Sequence, residues 1–255
     1  MKDADLQPAK KSHPVFRVGT SGWTYDHWKD CFYPPALPKS RWFDHYASLF
    51  HTVEVNATFY RTFSDETYKK WRERAPLGFG YVLKAPQLIT HRKYLLDVEA
   101  DIAAFYRSCS LLEDHFEMIL LQVAPNMPVD PGRLQKALLA FPDPGKVAVE
   151  FRRPEWQNPE TLGMLRDARV AICNPDSPRH RLTDHLTSNR AYLRLHGRVH
   201  WYAYEYSHEE LREIAALAMQ LAGRGADRVY IFFNNDYEGF APENARTLQE
   251  LLGVG

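Results

Sequence analysis

Glu54 and Asn56 stand two residues apart in Val53-Glu54-Val55-Asn56. The same spacing recurs in Glu150-Phe151-Arg152 and in Arg194-Leu195-His196. In an extended chain, residues so spaced share one face. Lys84 closes another apolar run, Asp176 follows a further one, and Asn234, Asn235 and Asp236 follow the last. Lys84, Arg152 and Arg194 would supply three cations, and arginine forks match phosphate or carboxylate, so an anionic group is expected on the ligand. Glu54 and Glu150 can serve as acid and base if their surroundings drive their pKa values apart, and His196 can do the same near neutral pH. A desolvated Lys84 could be a base or an imine-forming amine. Glu54, Glu150, Asp176 and His196 could also hold a divalent ion, which leaves the cofactor open; no HxH or HExxH motif accompanies them. The plainer reading is structural: Glu150 would only neutralise Arg152 or Arg194.

The elements that must position these residues are short β-branched runs. They predict strands near 16–20, 52–56, 80–84, 118–122, 146–151, 169–173, 191–196 and 228–233. Helical patterns lie between them. Asp130-Pro131 and Asn158-Pro159 each put a capping side chain before a proline at the first helical position. Ser207 with Glu210 makes a capping box for a helix ending near Gly223. Ser40, Ser64 and Asp97 read as caps of three others, and a helix from about Pro242 to Leu252 closes the chain. Residues 176–189 hold no convincing helix. Strands alternating with helices imply parallel strands with crossovers, and eight such units predict an α/β fold of one domain, a (β/α)₈ TIM-like barrel over residues 14–255 behind a leader, residues 1–13. Catalytic groups of such barrels gather at the carboxyl ends of the strands, where the polar residues above fall. Aromatics cluster in two loops, with Trp23, Tyr25, Trp28, Phe32 and Tyr33 in one and Trp201, Tyr202, Tyr204 and Tyr206 in the other. They could stack a sugar or a base, or simply pack the loops, Trp28 and Phe32 above all.

Composition bounds the rest. The chain has 255 residues, 45% hydrophobic and 25% charged, with 32 Lys plus Arg against 32 Asp plus Glu. Zero net charge argues against broad nucleic-acid binding, while a short nucleic acid at a local basic pocket stays open. No run of about 18 apolar residues occurs, so no membrane partner is expected. Cys31, Cys109 and Cys173 are too scattered for a zinc or iron–sulfur site and read as reduced thiols of a cytoplasmic protein, Cys109 within a helix core.

Six ordered motifs carry a resemblance. VGTSGWTYDHW (18–28) with FYP (32–34), YASLFHTVEVNATFY (46–60), KAPQLITH (84–91), VEFRRPEW (149–156), YLRLHGR (192–198) and FFNND (232–236) with Asn244-Ala245 resemble the YecE-like family, domain of unknown function 72. That resemblance implies a TIM-like barrel with a fold similar to those of xylose isomerase and endonuclease IV, a likeness that transfers no function. It implies pocket residues Glu54, Asn56, Lys84, His91, Glu150, Arg152, Asp176, Arg194, His196, Asn234, Asn235 and Asp236. Lys29-Asp30-Cys31 stand where the family usually carries a glycine, and Ala124-Pro125 replace a Pro-Pro; both bear on loop shape.

The expectation is an enzyme performing hydrolysis or another lytic step on a phosphorylated or other anionic substrate. Its catalytic candidates are Glu54, Lys84, Glu150, Asp176 and His196. Asn56, His91, Arg152, Arg194, Asn234, Asn235, Asp236 and the aromatics Trp23, Tyr25, Tyr204 and Tyr206 are expected to bind substrate. A non-catalytic binder of an anionic metabolite or nucleic-acid end is the alternative. Glycoside processing is a third reading, which the paired carboxylates fit and the three cations do not.

Overall fold

The computed structural model describes residues 13–254, so the leader lies, except for His13, outside the described residues. Eight parallel strands are β1 (Val15–Thr20), β2 (Thr52–Val55), β3 (Gly80–Lys84), β4 (Phe116–Gln122), β5 (Val147–Glu150), β6 (Ala171–Asp176), β7 (Arg190–Leu195) and β8 (Arg228–Phe233). Helices α1 (Trp42–Ala47), α2 (Ala57–Tyr60), α3 (Asp65–Arg74), α4 (Glu99–Ser110), α5 (Pro131–Leu139), α6 (Pro159–Asp167), α7 (His208–Gly223) and α8 (Phe240–Leu252) lie between and after them. This is the expected TIM-like (β/α)₈ barrel, nearly closed. The strand order runs β1-β8-β7-β6-β5-β4-β3-β2, so β1 and β2 are the two edges that meet.

Strand alternation separates two apolar layers. One fills the barrel with Val82, Met118, Leu120, Ala148, Ala171, Cys173, Tyr192, Tyr230 and Phe232. The other lies between barrel and helices, where Val53, Val55, Leu83, Ile119, Val149 and Leu193 meet residues such as Ile102, Leu134, Leu165 and Leu248. Cys109 is buried in α4 and all three cysteines are free thiols.

The meeting of β1 and β2 has no ladder among the described residues. The Tyr46 hydroxyl of α1 spans it instead, accepting from Thr20 N–H at 3.0 Å and donating to Thr52 O at 3.0 Å. Gly19 permits this approach, because a Cβ there would stand 2.4 Å from Thr52 O. At the opposite end of the barrel, the register of β3 and β4 shifts between Tyr81 and Val82. Glu117 bulges inward there, into space that Gly80 leaves open, and pairs with Arg17 at 2.9 Å.

Several local expectations hold. Asp130 and Asn158 accept from the N–H groups of Arg133 and Thr161, and Ser207 and Glu210 form the capping box of α7. Ser64 precedes α3 without a side-chain bond to its backbone. Two caps need correction: α1 begins behind Arg41 and not Ser40, after a 3₁₀ turn over Lys39–Arg41, and α4 begins behind Val98 and not Asp97, whose φ is +49°. The sixth strand lies further along than 169–173, over Ala171–Asp176, because Asn174 and Thr187 tie it to the helix-free segment that follows. Asn174 accepts from Thr183 Oγ1 at 2.6 Å and donates to His185 O at 3.0 Å, while Thr187 donates to Val170 O at 2.6 Å and accepts from Ile172 N–H at 2.8 Å. None of the described helices is long and apolar enough to cross a membrane.

Candidate functional site

Tyr192, Arg194 and His196 alternate inward from β7, so Arg194 projects across the carboxyl end of the barrel, where it is 1% exposed. Its Nε lies 3.0 Å from both Glu54 oxygens, and its Nη2 donates to Glu54 at 2.8 Å and Asn56 at 3.3 Å. Its Nη1 donates to Glu150 at 3.1 Å and faces His196 Nε2 at 3.1 Å. Glu54 also accepts from Ser21 Oγ at 2.7 Å and Tyr192 OH at 2.6 Å. Glu150 accepts from Gln122 Nε2 at 3.0 Å and pairs with Arg152 Nε at 2.9 Å.

This bonding fixes the charge states. Burial pushes the Glu54 carboxyl up, but the Arg194 charge and the bonds from Arg194, Tyr192 and Ser21 hold it below its usual range. Burial opposes the Glu150 carboxylate in the same way, and the Arg152 and Arg194 charges hold it well below. His196 falls to about 4 through burial and then the Arg194 charge, so its imidazole is neutral at pH 7. Arg194 can only donate, which leaves Nε2 bare and the proton on Nδ1, 3.0 Å from the Asn234 amide. The amide oxygen has to face that proton. The plainer structural reading of Glu150 therefore describes its contacts: it neutralises both Arg152 and Arg194.

Lys84 differs from this saturated core. It is 7% exposed at the end of β3, with Nζ 4.2 Å from the centre of the Phe59 ring of α2. Among the described residues its ammonium has neither a carboxylate nor a hydrogen-bond partner. Burial and then the Arg194 charge lower its pKa to about 7. His91 stands beside it on a π-helical turn, Leu88–Arg92, edge-on to Phe59 and bonded to Thr90 Oγ1 at 2.8 Å. Burial and the Lys84 charge lower His91 to about 4. Arg152, half-buried, lies 5.2 Å from the Trp201 ring centre, and Trp201 in turn packs against His196. Its Nε is held by Glu150, and among the described residues its outer nitrogens have no hydrogen-bond partner.

The structure thus gathers Glu54, Asn56, Lys84, His91, Glu150, Arg152, Arg194, His196 and Asn234. It does not bring the other candidates to this centre. Asp176 sits on the outward parity of β6 and pairs with Arg198 at 3.0 Å, which also binds Glu210 and Glu213. Tyr204 donates to Glu210 at 2.6 Å. Tyr206 is buried, and its hydroxyl accepts from Gly197 N–H at 2.9 Å. Asn235 donates to Tyr204 O at 2.7 Å and to Asn244 at 2.9 Å, anchoring the loop after β7. Asp236 presents its backbone carbonyl to Trp28 Nε1 at 2.8 Å and its carboxylate to His27 at 3.5 Å. Trp28 is fully buried, as packing requires, whereas Trp23 and Tyr25 are half-buried beside the centre. Among the described residues no three His, Cys, Asp or Glu side chains stand together as a metal site.

Ser21, Phe59, Tyr192 and Arg198 went unnoticed in the sequence. Tyr192 shares the parity of Arg194, a signal that was there to read. Phe59 reaches Lys84 from the short helix α2 and Arg198 reaches its partners from the loop after β7, placements that strand parity does not give.

The family model described as "Protein of unknown function DUF72" matches residues 17–255, the family that the ordered motifs resemble. UPF0759 protein YunF of Bacillus subtilis (strain 168) is 26% identical, covering 93% of this chain and 94% of its own. The crystal structure of a DUF72 family protein from Thermotoga maritima MSB8 superposes with a TM-score of 0.86 at 29% identity, covering 94% of this chain and 99% of that one. A DUF72 family protein from Enterococcus faecalis V583 shares the fold, with a TM-score of 0.81 at 21% identity over 94% and 96% of the two chains.

Proposed function

The chain belongs to the DUF72 family, and from that premise we propose that it is an enzyme whose reacting group is the Lys84 amine, performing a lytic step on an anionic carbonyl substrate held by Arg152. The observation that carries this reading is the contrast within the site. Glu54 and Glu150 are saturated anions and His91 and His196 are neutral, so none is poised to exchange a proton at pH 7. Lys84 alone in the centre is both unpartnered and balanced between its two forms near neutrality. A neutral amine adds to a substrate carbonyl; its two hydrogens leave with the carbonyl oxygen as water, and an imine remains. Once protonated, the imine withdraws electrons from the adjacent carbon and makes a bond there breakable. Without Lys84, two carboxylates and two guanidinium groups cancel, so an anionic ligand meets the donor nitrogens of Arg152 with no net repulsion.

The saturated bonding of Glu54 and Glu150 favours one second reading, an anion-binding protein without turnover. One trap separates the two. The protein is incubated with glycolaldehyde phosphate or glycolaldehyde and sodium cyanoborohydride, then mapped by mass spectrometry. Selective labelling of Lys84 by the phosphate, absent in Lys84→Met and losing its preference for the phosphate in Arg152→Gln, supports the enzyme. Labelling spread over surface lysines, unchanged in Lys84→Met, sinks it.

A further inference from the structure

A cleft of about 580 Å³ opens beside the centre, and the chemistry at Lys84 and Arg152 does not use it. Its two sides come from different strand ends: Ser21 to Tyr25 follow β1, and Asn56, Phe63 and Trp71 follow β2. Ser21 and Asn56 also belong to the centre, through Glu54 and Arg194, so cleft and centre are continuous. The walls are aromatic. Trp23 and Trp71 stand nearly perpendicular, 6.1 Å apart at 81°, and Phe63 leans on Trp71 at 5.1 Å. Gly22, at φ +109°, keeps the Tyr25 ring folded against its own loop, since a Cβ there would meet that ring at 3.1 Å. The Tyr25 hydroxyl is spent on Ser21 O at 2.6 Å. Arg61 caps the outer rim, 4.5 Å from the Phe63 ring centre. Trp23, Tyr25, Phe63 and Trp71 are each half-buried, with one side packed on the core and the other left to the cleft.

We infer that this cleft is a second substrate subsite that takes a planar aromatic ring, so that the substrate is an anionic carbonyl compound with an aryl side chain, of the aryl 2-oxo acid class. The inference rests on the reading of Lys84 as the reacting amine. Ligand pockets of roughly 300–1,000 Å³ lined by aromatic side chains and a few polar groups are the usual home of such rings. Perpendicular ring walls favour another ring over an alkyl chain, because edge and face charges attract. The anion falls to Arg152, the carbonyl to Lys84, and the ring lies past Asn56.

The test uses the full chain with pyruvate and phenylpyruvate under cyanoborohydride, and reads Lys84 labelling against concentration. Half-maximal labelling by phenylpyruvate is expected at a concentration at least about tenfold lower than for pyruvate, from burial of the ring. Thr67, half-buried on α3, lines the cleft, and Thr67→Phe intrudes on it, so the ratio should fall toward one. Equal labelling of the wild type by both acids overturns the inference and leaves the Lys84 reading intact. If neither acid labels Lys84, the Lys84 reading fails, and tryptophan quenching by phenyllactate against lactate decides the cleft. Saturable quenching by phenyllactate alone, lost in Thr67→Phe, upholds an aromatic subsite; no difference between the two overturns it.

Discussion

Replacing Arg194 by methionine removes the charge on which the centre is built while keeping much of the side-chain volume. Glu150 would retain Arg152 and Gln122, but Glu54 would keep only the neutral donors Ser21 and Tyr192. Glu54 is 0% exposed, so its carboxylate would be a buried charge without a counter-charge. Breaking such a pair from one side costs about 3–5 kcal/mol. In a chain of this size that lowers the melting temperature by on the order of 10 °C. Glu54→Gln on the same background should recover most of the loss, since it removes the charge that was stranded. The pH dependence carries the sharper signature. In the wild type both carboxyls lie below their usual range, so their stabilisation is complete above the unfolded value of about 4.3 and fades only as pH falls toward the folded values. In Arg194→Met burial raises Glu54 above that value, so between pH 7 and 5 the variant gains stability relative to the wild type, whose own stability falls there because the folded state holds His91 and His196 neutral down to about 4. Urea unfolding at pH 7 and pH 5 reads both effects. A loss under about 1 kcal/mol, or the same pH trend as the wild type, would refute the account of Arg194 as the charge that keeps Glu54 ionised.

Three further outcomes follow from other parts of the molecule. Lys84→Met should stabilise the fold, by on the order of 3 kcal/mol at pH 6. Because its folded pKa is depressed to about 7, the gain should shrink as pH rises toward 10, in urea midpoints taken across that range. Tyr46→Phe leaves Thr20 N–H and Thr52 O buried without their partner and should cost about 1–3 kcal/mol, with faster amide exchange at Thr20 than at Val18. Gly80→Ala drives a methyl to within 2.1 Å of Glu117 Cδ, so it should destabilise the barrel, and Glu117→Ala in the same chain should rescue it; an additive loss in calorimetry counts against the clash.

The alternation of polar and apolar residues made the barrel and much of its centre legible. Parity placed Glu54, Glu150, Arg194 and His196 inside, and there they meet. Asp176 was grouped with them only because it follows the sixth run; within Ala171–Asp176 its parity is outward, toward Arg198. Roles were less legible than positions. Glu54 and Glu150 looked like an acid–base pair because the sequence cannot tell that one guanidinium reaches both. Tyr204, Tyr206 and Asn235 share the mouth's neighbourhood in sequence but are consumed in fastening the loop after β7. Ser40 and Asp97 are plausible caps by type, and failed because the chain enters those helices through 3₁₀ and left-handed turns that carry no sequence signature at this length.

A barrel wall laddered all the way round can widen only by shearing every strand pair. Here no ladder joins β1 to β2 among the described residues, and the line is fastened by side chains, the Tyr46 hydroxyl and the Ser21 hydroxyl on Glu54, so the wall has a built-in parting line, and thermal breathing should concentrate along it. The aromatic cleft straddles that line at its upper end, with walls rooted on both sides. Whatever occupies the cleft would act as a clasp, and its grip would be felt as stiffness in the strands below as well as in affinity.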